Sequence, residues 1–365
     1  VIAAVQAQLE AFTHTCFGVM PYEPYIKLAE RMNEIAPMRG PNKTIFLTTG
    51  AEAIENAVKI ARCATGRSAI ISFSAGFHGR TMMALALTGK VNPYKAGFGP
   101  FPADTFHVPF PDAYRGGSSA ESLRAIEALF KASVEPSRVA AIVIEPVQGE
   151  GGFNVAPFEF LRELRALCDR HGIVFIADEI QTGFGRTGRM FAVEHAGVEP
   201  DLITIAKSLG GGFPLSGVVG KASIMDAVAP GGLGGTFAGS PVSCAAALAV
   251  LDIFRDEDVL ARAEKQGAMV RARLDAMRET FDCVGDVRGL GAMLAIELVK
   301  DRATREAAPD LAKQLALRAA ERGLIILTCG IYGNVVRILV PLIAPLEFVD
   351  EGLSLLEQAL GDVAK

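Results

Sequence analysis

The stretch Pro200-Asp-Leu-Ile-Thr-Ile-Ala-Lys-Ser-Leu-Gly-Gly-Gly-Phe-Pro214 runs a short apolar segment into a lysine and then into three glycines. Residues 201–206 have the length of a strand and are near-continuously apolar, as expected where a sheet is covered on both faces. Upstream, Ile173-Val-Phe-Ile-Ala177 is a second such run, and it ends on Asp178. Two strand ends therefore carry Lys207 and Asp178. A lysine after a strand ordinarily points into solvent, so Lys207 gains meaning only from what surrounds it.

Outward from these two strands, strand and helix patterns alternate. Strands are predicted at 44–48, 69–73, 139–144, 173–177, 201–206 and 217–219, with helices at 51–64, 121–131 and 158–170. This alternation predicts an α/β domain with a mostly parallel sheet. The pattern changes from about Leu251. An amphipathic helix is expected at 260–277, then short strands at 291–299, 324–327 and 335–340, with helices at 309–322 and 348–360. These elements predict a smaller α+β domain at the C-terminal end. The expected division is a large domain over 1–257 and a small one over 258–365. The glycine-rich 230–239 reads as a loop.

The bulk numbers suit this reading. With 365 residues, 50% of them hydrophobic, the chain can bury one large core and one smaller one. The net charge of −5 gives no electrostatic reason to expect nucleic acid or an anionic membrane. No apolar run is long enough to span a bilayer, since 245–254 is short and contains Asp252. Six cysteines scattered without paired spacing suggest free thiols in the cytoplasm. The five histidines show no zinc-ligand spacing, so no metal is expected.

Four further motifs carry chemistry. Thr48-Thr-Gly-Ala-Glu-Ala53 follows a strand and opens a helix, where backbone N–H groups attract a phosphate. It is no Walker loop, because it contains no Gly-Lys pair, and Gly89-Lys90 elsewhere lacks the upstream glycine and the following hydroxyl residue. Gly76-Phe-His-Gly-Arg-Thr81 offers an aromatic ring for stacking, the imidazole of His78 and an arginine that can hold a carboxylate. Read alone, His78 could be a satisfied loop histidine and Arg80 a surface charge. Ile142-Val-Ile-Glu-Pro-Val-Gln-Gly-Glu-Gly-Gly152 sets Glu145 and Glu150 just past a strand, where α/β sheets bind ligands. Gly183-Phe-Gly-Arg-Thr-Gly188 formally matches a dinucleotide fingerprint. Its glycines do not directly follow the strand, and Asp178 and Glu179 would repel a pyrophosphate. A lysine at one strand end and an aspartate at another suit pyridoxal 5'-phosphate (PLP) instead. The amine can form a Schiff base, and the carboxylate keeps the pyridine nitrogen protonated.

Together, the Thr-Gly-Ala-Glu-Ala, Phe-His-Gly-Arg-Thr, Glu-Pro-Val-Gln-Gly-Glu-Gly-Gly, Asp-Glu-Ile-Gln-Thr-Gly and Ala-Lys-Ser-Leu-Gly-Gly-Gly-Phe-Pro stretches resemble the class III (ω-) aminotransferases. Within that class they look most like 4-aminobutyrate aminotransferases. The resemblance runs from near residue 16 to the C-terminal helix. It implies the fold type I architecture of PLP enzymes and a homodimer with active sites at the subunit interface, with a tetramer as the alternative. It also implies a further N-terminal segment that helps close the substrate pocket. By the same resemblance, Lys207 is the Schiff-base lysine and Asp178 pairs with the pyridine nitrogen. Phe77 and Ile180 sandwich the ring, and Gln181 lies near its hydroxyl. His78 belongs to the same cofactor site, and Gly50 and Ala51 hold the phosphate. Thr236 reaches the phosphate of the neighbouring subunit. Arg80 binds the distal carboxylate of the substrate, Arg337 binds the α-carboxylate of glutamate, and Glu150 pairs with Arg337 when that carboxylate is absent. Glu145 is a supporting carboxylate without a resolved role. The implied reaction moves the amino group of an ω-amino acid, 4-aminobutyrate first, to 2-oxoglutarate, giving succinate semialdehyde and glutamate. Ornithine or acetylornithine aminotransferases and an intramolecular aminomutase share the frame and stand as alternatives.

Overall fold

In the computed structural model, which describes residues 1–364, two sheets organise the chain. The larger contains β1 (Asn42–Leu47), β2 (Ala69–Phe73), β3 (Thr105–Val108), β4 (Val139–Ile144), β5 (Val174–Asp178), β6 (Leu202–Ile205) and β7 (Ser216–Lys221). Their order is β1-β7-β6-β5-β4-β2-β3, and β7 alone runs antiparallel to its neighbours. Every residue of β2, β4 and β5 is buried. Helices cover both faces of these strands, which is why the sequence has no polar alternation there. Gly50–Thr65 packs Ala53, Ile54 and Ile60 into one core, and Phe158–His171 packs Phe160, Leu164 and Leu167 into the other.

The smaller sheet consists of β8 (Val284–Leu290), β9 (Met293–Asp301), β10 (Glu306–Ala307), β11 (Leu327–Cys329) and β12 (Val335–Ile338). Its pairings are antiparallel, with β9 flanked by β8, β10 and β12. Helices Val259–Thr280, Pro309–Glu321 and Leu346–Val363 bury Leu274, Leu315 and Leu353 against Ile296 of β9. The fold is α/β with a mostly parallel large sheet and an antiparallel small one. It matches the fold type I expectation.

Several elements differ from the sequence reading. The strand expected at 324–327 lies at Leu327–Cys329. Leu324 instead closes the preceding helix, its N–H bonding the carbonyl of Ala319 after Gly323 turns through a φ of +85°. Helix Pro241–Asp256 was not expected, and it packs Cys244, Ala247 and Leu251 beside the large sheet. Helices Ile2–Ala11, Glu23–Ile35 and Met82–Leu87 and the edge strand β3 were also not expected. No helix among the described residues is long and apolar enough to cross a membrane, and they contain no group of side chains arranged to hold a metal ion.

Candidate active site

Parallel strands bring their carboxyl ends to one edge of a sheet. Glu145 follows β4, Asp178 ends β5, Lys207 follows β6, and Gly50 opens the helix after β1. Asp178 stands opposite Thr204 in the β5–β6 register. Its Oδ1 accepts from the Thr204 hydroxyl at 2.9 Å and from the Ile180 N–H at 3.2 Å. Its Oδ2 lies 2.7 Å from His78 Nδ1, and both side chains are buried. Burial alone would lower the pKa of His78. The hydrogen bond and charge of Asp178, with help from Glu145, outweigh burial and raise it. The carboxylate is thus fixed from three sides.

Glu145 accepts from the N–H of Phe77 at 2.9 Å and from that of Gly149 at 3.0 Å. It therefore ties the turn bearing Phe77 to the turn bearing Glu150. Burial lifts its carboxyl to about 7, with His78 opposing and Asp178 adding to the rise. Lys207 sits in the left-handed region at φ +46° and starts the turn Lys207–Gly210. That conformation is costly for a side-chain-bearing residue, on the order of 1–3 kcal/mol, and such strain clusters at functional sites. Desolvation lowers the pKa of the Lys207 amine, against the pull of Asp178, Glu145 and Glu150. A depressed amine pKa leaves more of the lysine in its nucleophilic form.

These groups border a cavity of about 510 Å³, together with Gly50, Ala51, Phe77 and Ile180. The helix Gly50–Thr65 points its N-terminus here. A capping box spends the Thr49 and Glu52 side chains on the N–H groups of Thr48, Thr49 and Glu52. Gly50 and Ala51 occupy the first helical positions, whose N–H groups have no intrahelical acceptor, and both residues line the cavity. A side chain at Gly50 would crowd Ile180, since a Cβ there would come 3.1 Å from Ile180 Cδ1.

A second cluster borders the first. Glu150 lines the cavity, and its Oε1 accepts from Arg337 Nη1 at 2.5 Å. Arg337 comes from β12 of the small sheet, opposite Ala295 of β9. The backbone of the Glu150 turn is gripped from the small-sheet side. Gly330 N–H donates to the Glu150 carbonyl at 2.9 Å, and Arg288 Nε donates to the Gly152 carbonyl at 2.7 Å. The Tyr94 hydroxyl donates to Glu150 Oε2 at 3.1 Å.

Residues 1–360 match the family Aminotransferase class-III. The chain belongs to this family. It is 53% identical over 364 residues to 5-aminovalerate aminotransferase DavT of Pseudomonas putida, covering 100% of this chain and 85% of that protein. It is 52% identical to 4-aminobutyrate aminotransferase GabT of Escherichia coli, covering 99% of this chain and 85% of that protein. Among solved structures, an amine transaminase from an uncultivated Pseudomonas species in a PLP-bound form superposes with a TM-score of 0.89 at 33% identity, over 99% of this chain and 85% of that one. A transaminase from the marine bacterium Virgibacillus superposes with a TM-score of 0.93 at 29% identity, over 100% of this chain and 84% of that one. This class-III aminotransferase is a PLP-dependent enzyme.

The residues present fit PLP. Besides the lysine amine, the fixed carboxylate and the helix N-terminus, Gln181 lines the cavity with a buried Oε1 that has no partner among the described residues. A buried amide oxygen is rarely left unpaired, and a ligand hydroxyl would satisfy it. Of the site residues expected from sequence, ten line this one cavity: Lys207, Asp178, Gly50, Ala51, Phe77, His78, Glu145, Glu150, Ile180 and Gln181. Arg337 joins through Glu150. Arg80 is exposed and stands outside the lining, with its guanidinium carbon 5.0 Å from the Tyr94 ring centroid. Thr236 is exposed and borders a different hollow, beside Phe17 and Tyr25. Tyr94 was not foreseen. It lies in a turn with no motif, and its only signal is an aromatic in Asn92-Pro-Tyr-Lys95.

Proposed function

We propose that the enzyme moves the terminal amino group of an ω-amino acid, 4-aminobutyrate first, to 2-oxoglutarate, giving succinate semialdehyde and glutamate. The observation that carries this reading is the Glu150–Arg337 pair at the edge of the cavity. Glutamate brings an α-carboxylate beside its reacting amine, and an arginine can hold it in a bidentate pair. 4-Aminobutyrate has only hydrogens at that carbon, and would leave the arginine as an unpaired, part-buried charge. Breaking a buried ion pair in that way costs on the order of several kcal/mol. Glu150 removes that penalty by pairing with Arg337 for the ω-amino acid and leaving it for glutamate. The names of the relatives support the substrate class, since DavT and GabT, at 53% and 52% identity, are named for ω-amino acids.

When bound, PLP supplies an aldehyde that captures the amine and a ring that takes up the electrons released at the substrate carbon. In this reading Gly50 and Ala51 hold its phosphate, Phe77 and Ile180 hold its ring, and Gln181 meets its hydroxyl. Asp178, fixed by Thr204, Ile180 and His78, keeps the ring nitrogen protonated. Lys207 would form the Schiff base and take up the proton released at the amine-bearing carbon of the substrate. Arg80 holds the distal carboxylate. Thr236 completes the phosphate site of a partner subunit in a homodimer, and a fully active monomer would overturn that role. The chain divides near 257/258 into its two units. Unpaired cysteines support a cytoplasmic setting.

An amino-donor screen with 2-oxoglutarate, following glutamate, tests the reading. Turnover is expected with 4-aminobutyrate and 5-aminovalerate. Turnover confined to ornithine or acetylornithine, or isomerisation without 2-oxoglutarate, would contradict it.

A further inference from the structure

Tyr94 touches three functional groups at once. Its ring centroid is 4.8 Å from that of Phe77, and the Arg80 guanidinium carbon lies 5.0 Å from the same centroid. Its hydroxyl donates to Glu150 Oε2 at 3.1 Å, while Arg337 holds Glu150 Oε1 at 2.5 Å. The Glu150 carboxylate is therefore gripped at both oxygens. Its main chain is pinned as well, through the Gly330 N–H. Only the side chain is left to move.

We propose that Tyr94 is a positioning residue that latches Glu150 onto Arg337, and so sets the preference between amino donors with and without an α-carboxylate. This rests on the gate described under the proposed function. A phenol O–H bonded to a carboxylate stabilises only the arrangement in which the two meet. When an α-carboxylate displaces Glu150 from Arg337, the Tyr94 hydroxyl loses its acceptor together with the arginine. Its free energy therefore weighs on one side of a two-state equilibrium, which is what a shift in ligand preference requires. Burial and the Glu150 charge push the Tyr94 hydroxyl up to about 12, so it stays a donor across the working pH range. The ring has a separate task, as the surface beneath Arg80 and beside Phe77. Hydroxyl and ring can thus be removed one at a time.

The test uses the PLP-loaded enzyme in single half-reactions, followed by stopped-flow absorbance, with 4-aminobutyrate and glutamate measured separately. Tyr94→Phe keeps the ring. It is expected to shift the ratio of half-saturating concentrations toward glutamate by about tenfold, the worth of one hydrogen bond to a charged group. The shift should appear in the half-saturating concentrations and not in the limiting rates. In a Glu150→Ser background the same substitution should move the ratio by less than about twofold, because the latch has lost its object. Tyr94→Leu should in addition raise both half-saturating concentrations by removing the surface under Arg80. Equal changes for both substrates with Tyr94→Phe, or a shift that persists without Glu150, would overturn the latch and leave the gate standing. A Glu150→Ser enzyme with the wild-type ratio would overturn gate and latch together.

Discussion

Asp178, Glu145 and Glu179 are three buried carboxyls close together in the fold, and their surroundings assign them different tasks. Asp178 is fixed by a histidine, a threonine hydroxyl and a backbone N–H, and it faces the cavity. Glu145 holds two turns together through their N–H groups. Glu179 points away from the cavity and ties the loop after β5 by accepting from Val193 N–H at 2.9 Å and from the Thr182 hydroxyl. Burial lifts the Glu179 carboxyl to about 7. A folded-state pKa above the ordinary 4.5 means that its stabilising contribution is complete below pH 4.5 and is lost as pH rises through about 7. Glu179→Gln cannot ionise, and its amide can donate to Thr182 while its oxygen accepts from Val193. The melting temperature of Glu179→Gln relative to wild type is therefore expected to rise between pH 5 and pH 8.5, by a stability on the order of 3 kcal/mol. A difference independent of pH would contradict this assignment. The strand-end position and the family resemblance pointed to Asp178 as the carboxyl at the ligand, but Glu179 beside it carried no readable role. The register of β5 against β6 adds what the sequence did not show, by setting the Thr204 hydroxyl opposite Asp178.

At the scale of elements, the site depends on turns that approach one another closely. Gly149 is one such point: a Cβ there would lie 2.2 Å from Gln181 Oε1. The clash is with the end of a flexible side chain, so the fold can survive while Gln181 is displaced from the cavity. Gly149→Ala is expected to weaken PLP binding by the apoenzyme about tenfold, roughly the loss of one hydrogen bond. An absorbance titration with unchanged affinity would show that Gln181 makes no such bond. Elements of this kind were legible unevenly. Strands 69–73 and 139–144 match the sequence reading to the residue, because fully buried strands leave unbroken apolar runs. Strand β3, at the sheet edge, has only Val108 buried, so Thr105 and His107 interrupt any such run. Helix Pro241–Asp256 carries alanine and cysteine where a helix stripe usually carries leucine, and its periodicity is faint. The cavity motifs were readable because each begins at or within a few residues of a strand end. Tyr94 follows none, and chain folding alone brings it to Glu150.

For the whole molecule, the decisive feature is that the ion pair proposed as a gate spans two sheets. Glu150 belongs to a turn after β4 of the large sheet, and Arg337 to β12 of the small one. Arg288 and Gly330 add backbone ties between the same two regions. The edge of the cavity where Glu150 meets Arg337 is thus assembled from both parts of the chain, and neither sheet holds it alone. The central claim is that Glu150 neutralises Arg337 for the ω-amino acid and releases it for glutamate. The most direct test measures each half-reaction separately, by stopped-flow absorbance, in Glu150→Ser and Arg337→Ala. Glu150→Ser should slow the 4-aminobutyrate half-reaction at least tenfold more than the glutamate half-reaction, as expected from the cost of about 1.4 kcal/mol or more for the unpaired arginine. Arg337→Ala should do the reverse, because it removes the partner of the α-carboxylate. Equal losses in both half-reactions for the two variants would contradict the account.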